Sequence, residues 1–324
     1  MAIDPTNAST VNSKAVQSHI GYDNLANILE ANLKTHYDWI FLTLGGWTSV
    51  TIPLSGAYGG EWSRLRPVED ELYTDGQVWE GARKDWVWET GINYVGTDGV
   101  TYNPTGVGTP TVDSVATSDA YHVNYPLGRI IFDTPISTSS TVQVAHQYRY
   151  IQVYRADDAP WWREIQYNSH RVDSSHFLQS GSGDWSVFGT HRVQLPCVIV
   201  ESVPRGVAGG FQLGDDALDV SRDVLFHVIA ESRTDRNNIM DIISLQTDKS
   251  IWLYNTNTAI DDYPLDFQGS LTGTKMYPDF VDETGNGGHR WGEVRMENST
   301  ISDIEQIHPT LYEATIRTTM RIVI

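Results

Sequence analysis

The side chains able to do chemistry are scattered along this chain. Ten histidines stand at positions 19, 36, 122, 146, 170, 176, 191, 227, 289 and 308. None belongs to an H-E-x-x-H run or to a pair one helical turn apart, the spacing a helix-borne zinc site needs. His170 and His176 flank Ser174-Ser175 beside Asp173, which are the residue types of a hydroxyl nucleophile, its base and an orienting acid. No G-x-S-x-G elbow presents either serine, so they read as ordinary loop residues. Gly181-Ser182-Gly183-Asp184 and Gly285-Asn286-Gly287-Gly288 lack both a phosphate-binding lysine and a strand-to-helix passage, and read as surface turns. Asp157-Asp158, Asp215-Asp216 and Asp261-Asp262 offer hard oxygen donors without the spacing of a calcium loop. Trp161-Trp162, close to Asp157, Asp158 and Arg163 and followed by Trp185, has the makings of an aromatic platform. Such rings either stack on sugars or anchor interfaces and cores, and the second use is the expected one here. Cys197 is the single cysteine, which excludes an intramolecular disulfide and a cysteine-based zinc cluster. The expectation is a protein with no catalytic, cofactor or metal site, and not an enzyme.

Composition narrows the partners. Lys and Arg total 22 against 41 Asp and Glu, a formal net charge of −19 over 324 residues. A chain so acidic repels nucleic acid and anionic lipid and does not bind polyanions generically. Charged residues make up 19% and hydrophobic ones 40%, with 11 Trp, 16 Tyr and 8 Phe, so the chain is folded. Its length fits about two domains. No run approaches the roughly 18 apolar residues of a membrane span, and the first residues lack the layout of a secretion signal.

Several elements are expected to carry these residues. Residues 1–22 read as an extended polar arm. Leu25, Ile28, Leu29, Leu33, Tyr37, Ile40 and Phe41 recur at helical spacing behind an Asp23 cap, and Gly45-Gly46 ends that helix. Residues 56–192 alternate short β-rich runs with turns, the best strands being Trp86 to Trp88, Arg129 to Asp133 and Thr141 to Tyr154. They predict an inserted antiparallel β-sandwich or barrel-like domain. Beyond it, Leu195 to Val203 and Val220 to Ala230 read as strands, with a glycine-bearing turn region from Gly206 to Gly214 between them. Ser232-Arg233-Thr234-Asp235 is a capping-box-like start for a helix carrying Ile239, Ile242 and Ile243. Ile251 to Tyr254, Arg290 to Met296 and Ala314 to Ile324 complete the strands, the last with Ile316, Thr318, Met320 and Ile322 on one face and Arg317 and Arg321 on the other. The predicted fold is α+β: a mixed or antiparallel sheet with flanking helices, built from 23–55 and 193–324 around the insert.

The runs Phe211-Gln212-Leu213-Gly214, Asp223 to Ser232 and Asp235 to Ile243, with the helix at 23–41, resemble the tail-terminator or tail-completion proteins of long-tailed bacteriophages. That resemblance covers less than half of the chain. It implies a virion structural protein of the neck, assembled in the host cytoplasm as a homo-oligomeric ring, usually a hexamer. Its implied partners are the tail tube, sheath, and stopper or adaptor proteins, with DNA passing through the ring unbound and no membrane contact. On this reading Asp235, Arg236, Ile239, Ile243, Trp161, Trp162, Arg317 and Arg321 are the expected interface residues. The alternative function is a carbohydrate-binding receptor-recognition or baseplate-associated β-protein, resting on the tryptophan pair.

Overall fold

Leu25, Ile28, Leu29, Leu33 and Tyr37 all lie on the buried side of helix α1 (Leu25–Thr43) in the computed structural model. The structure describes residues 24–52, 60–159, 162, 187–188, 191–192, 194–210, 218–282, 288–308 and 311–323. The helix is capped by Asn24, one residue later than the predicted Asp23, which lies outside the described residues. Asn24 Oδ1 accepts the Asn27 N–H at 3.0 Å, satisfying one of the unpaired first-turn donors. Its C-terminus is closed as predicted. Gly46 N–H reaches Phe41 O at 2.8 Å and Gly45 N–H reaches Leu42 O at 3.0 Å, with Gly45 at φ +81°.

Contacts divide the chain into two units: one of residues up to Asp38 with Val153–Asp261 and Tyr277–Ile324, the other of Trp39–Gln152 with Asp262–Met276. These divisions fall at other positions than the 56 and 192 read from the sequence. Trp39 and Leu42 pack with Trp47, Val87 and Ile92, which brings the end of α1 into the second unit. At the other end the chain leaves that unit once it enters a strand of the first unit's sheet.

In the second unit β1 (Trp47–Val50), β2 (Val78–Glu80), β3 (Tyr121–Asn124), β4 (Arg129–Phe132) and β5 (His146–Arg149) are the longest strands. Arg66–Pro67, β2, β4 and β3 form one four-stranded sheet in that order, and β1 pairs with β5. Two further small sheets involve Thr111–Val112 and Tyr94–Val95. The described strands of this unit are thus distributed over several small antiparallel sheets. The predicted strand over 141–154 is split into three because each piece pairs with a different partner, and Trp86 to Trp88 contributes only an isolated bridge from Trp86 to Tyr148. The apolar residues nonetheless converge: Trp79, Trp86, Ile130, Phe132, Val142 and Val144 build one core.

The first unit is organised by a six-stranded sheet. With β6 (Gln152–Arg155), β7 (Cys197–Gly210), β8 (Leu218–Ala230), β9 (Ser250–Tyr254), β10 (Arg290–His308) and β11 (Leu311–Val323), its order is β6-β7-β8-β11-β10-β9. The pairs β7–β8, β8–β11, β11–β10 and β10–β9 are antiparallel. The predicted turn region from Gly206 onward begins later, since Gly206 to Gly210 pair with Arg222 to Leu218 as strand. A register shift between Ser202 and Gly206 absorbs the irregularity of Pro204. Helix α2 (Arg233–Ser244) packs on β8 and β11 and starts as the sequence predicts. Ser232 Oγ accepts the Asp235 N–H at 3.0 Å and donates to Asp235 Oδ2 at 2.7 Å.

Two polar residues tie α1 to this sheet. Asn32 is fully buried; its Nδ2 donates to Tyr254 O at 2.9 Å and its Oδ1 accepts the Tyr254 N–H at 2.8 Å. One side chain thus satisfies both backbone groups of a residue in the terminal strand β9. Glu30 Oε1 accepts the Ser202 N–H at 2.7 Å beside the register shift, and burial, opposed by that bond and by Arg155, raises its pKa.

Candidate functional site

Alternation along β8 sorts its residues between two faces. Val224, Phe226 and Val228 are fully buried, and Phe226 meets the edge of the Tyr37 ring at 5.2 Å, which fixes this as the α1 side. Asp219, Asp223, His227 and Ile229 occupy the opposite face. Antiparallel register sets Thr319, Thr315 and Glu313 of β11 directly across from Asp223, His227 and Ile229. Arg317 and Arg321 lie on the same face and reach diagonally along the pair.

The outer part of this face is a row of charge pairs. Arg321 Nε donates to Asp219 at 2.9 and 3.0 Å and its Nη2 at 2.6 Å, while Nη1 lies 3.8 Å from Glu297 of β10. Arg317 bonds Asp223, which also accepts the Thr319 hydroxyl at 3.0 Å. Chiefly through the Arg317 bond, the Asp223 carboxyl is held below its ordinary value, and the bond to Asp219 raises Arg321 further. Exposed pairs of this kind add little stability each. Their geometry instead fixes which strands lie side by side and in which register.

The inner part is buried. Glu201 Oε2 lies 3.2 Å from His227 Nε2, and His227 Nδ1 lies 3.2 Å from Thr315 Oγ1, so three adjacent strands are linked by one imidazole. Trp162 stacks on the ring at 4.2 Å between centroids. Beneath it Cys197, Ile199, Ile229, Leu195 and Leu311 close an apolar cluster. Burial raises the Cys197 thiol far above its ordinary pKa, leaving it protonated and unreactive. A hydroxyl, an imidazole and a carboxylate in line are the components of an acyl-transfer triad. Here the three side chains come from three adjacent strands and the Trp162 indole covers the ring, so the array links strand to strand.

The residues singled out from sequence separate into two groups. Arg317 and Arg321 come together on the open face, with side chains 65% and 44% exposed. Arg236, Ile239 and Ile243 are instead used inside the chain: Arg236 Nη1 donates to Glu313 O at 3.3 Å, and the two isoleucines are 2% and 0% exposed. Asp235 is the partner of the Ser232 cap. Trp162 is buried at 3% exposure, which removes it from any open sugar platform, and Trp161 lies outside the described residues, as do His170, His176 and Phe211 to Gly214. Sequence reasoning missed Asp219, Asp223, Glu201, His227 and Thr315. The two acids on β8 repeat every fourth residue, as do the two arginines on β11, and that shared interval was the available signal. Among the described residues no group of three or more His, Cys, Asp or Glu side chains is placed to hold a metal ion. No family model matches the chain, and no curated protein matches it.

Proposed function

We propose that this chain is a structural subunit of a bacteriophage neck, which assembles into a ring that terminates or joins the tail tube and lets DNA pass. The observation that carries the reading is the open face of the six-stranded sheet. There Arg317 and Arg321, with side chains 65% and 44% exposed, stand among the carboxylates Asp219, Asp223 and Glu297, so the face presents charges of both signs. A surface that alternates charge can be met by a complementary pattern on a second copy, and complementary charge sets register and orientation between subunits. The acidic balance also suits a wall along which DNA slides, since it releases phosphate instead of gripping it. The passage from β8 through the capped turn into α2 supports the resemblance noted above on residues 223–243.

Native mass spectrometry with negative-stain imaging of the purified chain tests this reading. Rings of a fixed copy number are expected, and the charge reversal Arg317→Glu with Arg321→Glu should shift them to monomer while circular dichroism stays unchanged. A strictly monomeric wild-type protein that also leaves tail tubes unbound would sink it.

A further inference from the structure

The second unit contains a cleft of 320 Å³ whose polar lining is Arg64, Arg66, Thr138 and Ser140. Leu65, Pro67 and Trp79 supply its apolar side, and among the described residues no carboxylate lines it. Arginines two residues apart in extended chain project to one side, and Leu65 between them is 1% exposed and turned into the core. The backbone there is fixed. Leu65 N–H donates to Val142 O at 2.8 Å, Arg64 bridges to Gln143, and Arg66 pairs with Glu80.

Neither guanidinium has an ion-pair partner among the described residues, although acids outnumber bases almost twofold. The reason lies next door. Glu80, directly across from Arg66, and Asp70 are both taken by Arg129, at 2.8 and 3.1 Å. Arg129 thus occupies the carboxylate across from Arg66 and that of Asp70, and Arg64 and Arg66 carry positive charge that no ion pair among the described residues compensates. The hydroxyl wall is equally fixed: Ile136 N–H donates to Gly76 O at 2.9 Å, Ser140 N–H to Ser137 O at 2.9 Å, and Thr141 N–H to Asp113 Oδ1 at 2.8 Å. Gly76, at φ +86°, has no room for a Cβ against the Ile136 carbonyl, so the wall approaches as closely as a glycine allows.

We infer that this cleft is a binding site for a small organic oxyanion, a carboxylate or phosphate monoester carried on a polar body of about monosaccharide size. Guanidinium groups recognise both oxyanions through paired N–H donors, and the Thr138 and Ser140 hydroxyls bond either the anion or the hydroxyls of its carrier. A volume of 320 Å³ lies at the lower end of small-molecule sites and fits a ligand of that size. The site lies wholly in the second unit and does not depend on ring assembly.

Isothermal titration calorimetry of the full chain with glucuronate, glucose 6-phosphate, inorganic phosphate and glucose tests the assignment. Saturable binding of one or both sugar anions is expected, with Kd below about 1 mM and at least about tenfold tighter than inorganic phosphate. Which sugar anion wins tells carboxylate from phosphate. Glucose should give no heat, and Arg64→Gln with Arg66→Gln should abolish binding while leaving the thermal melt in place. Silence of both sugar anions, equal affinity for inorganic phosphate, or binding that survives the double substitution would each overturn the proposal.

Discussion

Replacing Asn32 by Leu keeps the number and branching of the side-chain heavy atoms, and removes both bonds that hold Tyr254. The Tyr254 N–H and C=O, at 2.8 and 2.9 Å from the amide, then stay buried without the partners that now satisfy them. Each lost bond costs about 1 kcal/mol net, and desolvation of the orphaned groups raises the total to about 2–4 kcal/mol. Hydrogen exchange reads this locally. If Tyr254 exchanges through the opening that the two bonds resist, its protection should fall about 30- to 1000-fold, at about 1.4 kcal/mol per factor of ten. Amides of the second unit, such as Ile130 and Phe132, should be unaffected and serve as the internal control. A change below about threefold at Tyr254 would refute the claim that this one side chain completes the terminal strand.

Three further outcomes follow from the same geometry. Ser232→Ala should cost about 1 kcal/mol in urea unfolding through loss of the α2 cap, with no change in m-value. Ile243→Asp places a charge at a site with 0% exposure and should leave the first unit unfolded, whereas Ile243→Ala should cost about 2–5 kcal/mol and remain folded; soluble, native-like Ile243→Asp protein would contradict that packing. His36 and His146 are both held down to about 4 by burial. A histidine whose folded pKa lies below its unfolded value of 6.5 exerts no penalty above that pH and destabilises as pH falls through 6.5 towards 4, because only the unfolded chain takes the proton. The urea midpoint should drop across that window, and His36→Gln with His146→Gln should flatten the slope.

What the sequence made legible was local. The Ser232–Asp235 cap, the glycine stop at 45–46 and the two-residue alternation of β11 each lie within a few positions of one another, and each forms as predicted. Residues 141–154 alternate just as regularly, yet their ladder changes partner twice, and periodicity carries no information about partners. Distance along the chain hid the rest. Asn32 reads as an unremarked polar residue in an apolar helix until a backbone 222 positions later is set beside it. His227 stood among ten scattered histidines, and its meaning depends on Glu201 and Thr315 arriving from neighbouring strands. Trp162 takes the buried role that the sequence favoured over a sugar platform, but its contact, a His227 ring 65 positions later, has no signature in the spacing.

The links running across β7, β8, β11 and β10 have a mechanical consequence. Arg321 to Asp219 and Glu297, Arg317 to Asp223, and Glu201 through His227 to Thr315 all cross from strand to strand, like rungs laid over the backbone ladder. A pull along the strands stretches every rung and every ladder bond together, so the load is shared and none yields first. A pull across the sheet would open them one at a time. This sheet is therefore stiff against sliding and comparatively compliant against peeling, and the direction of an applied force decides which of the two it meets.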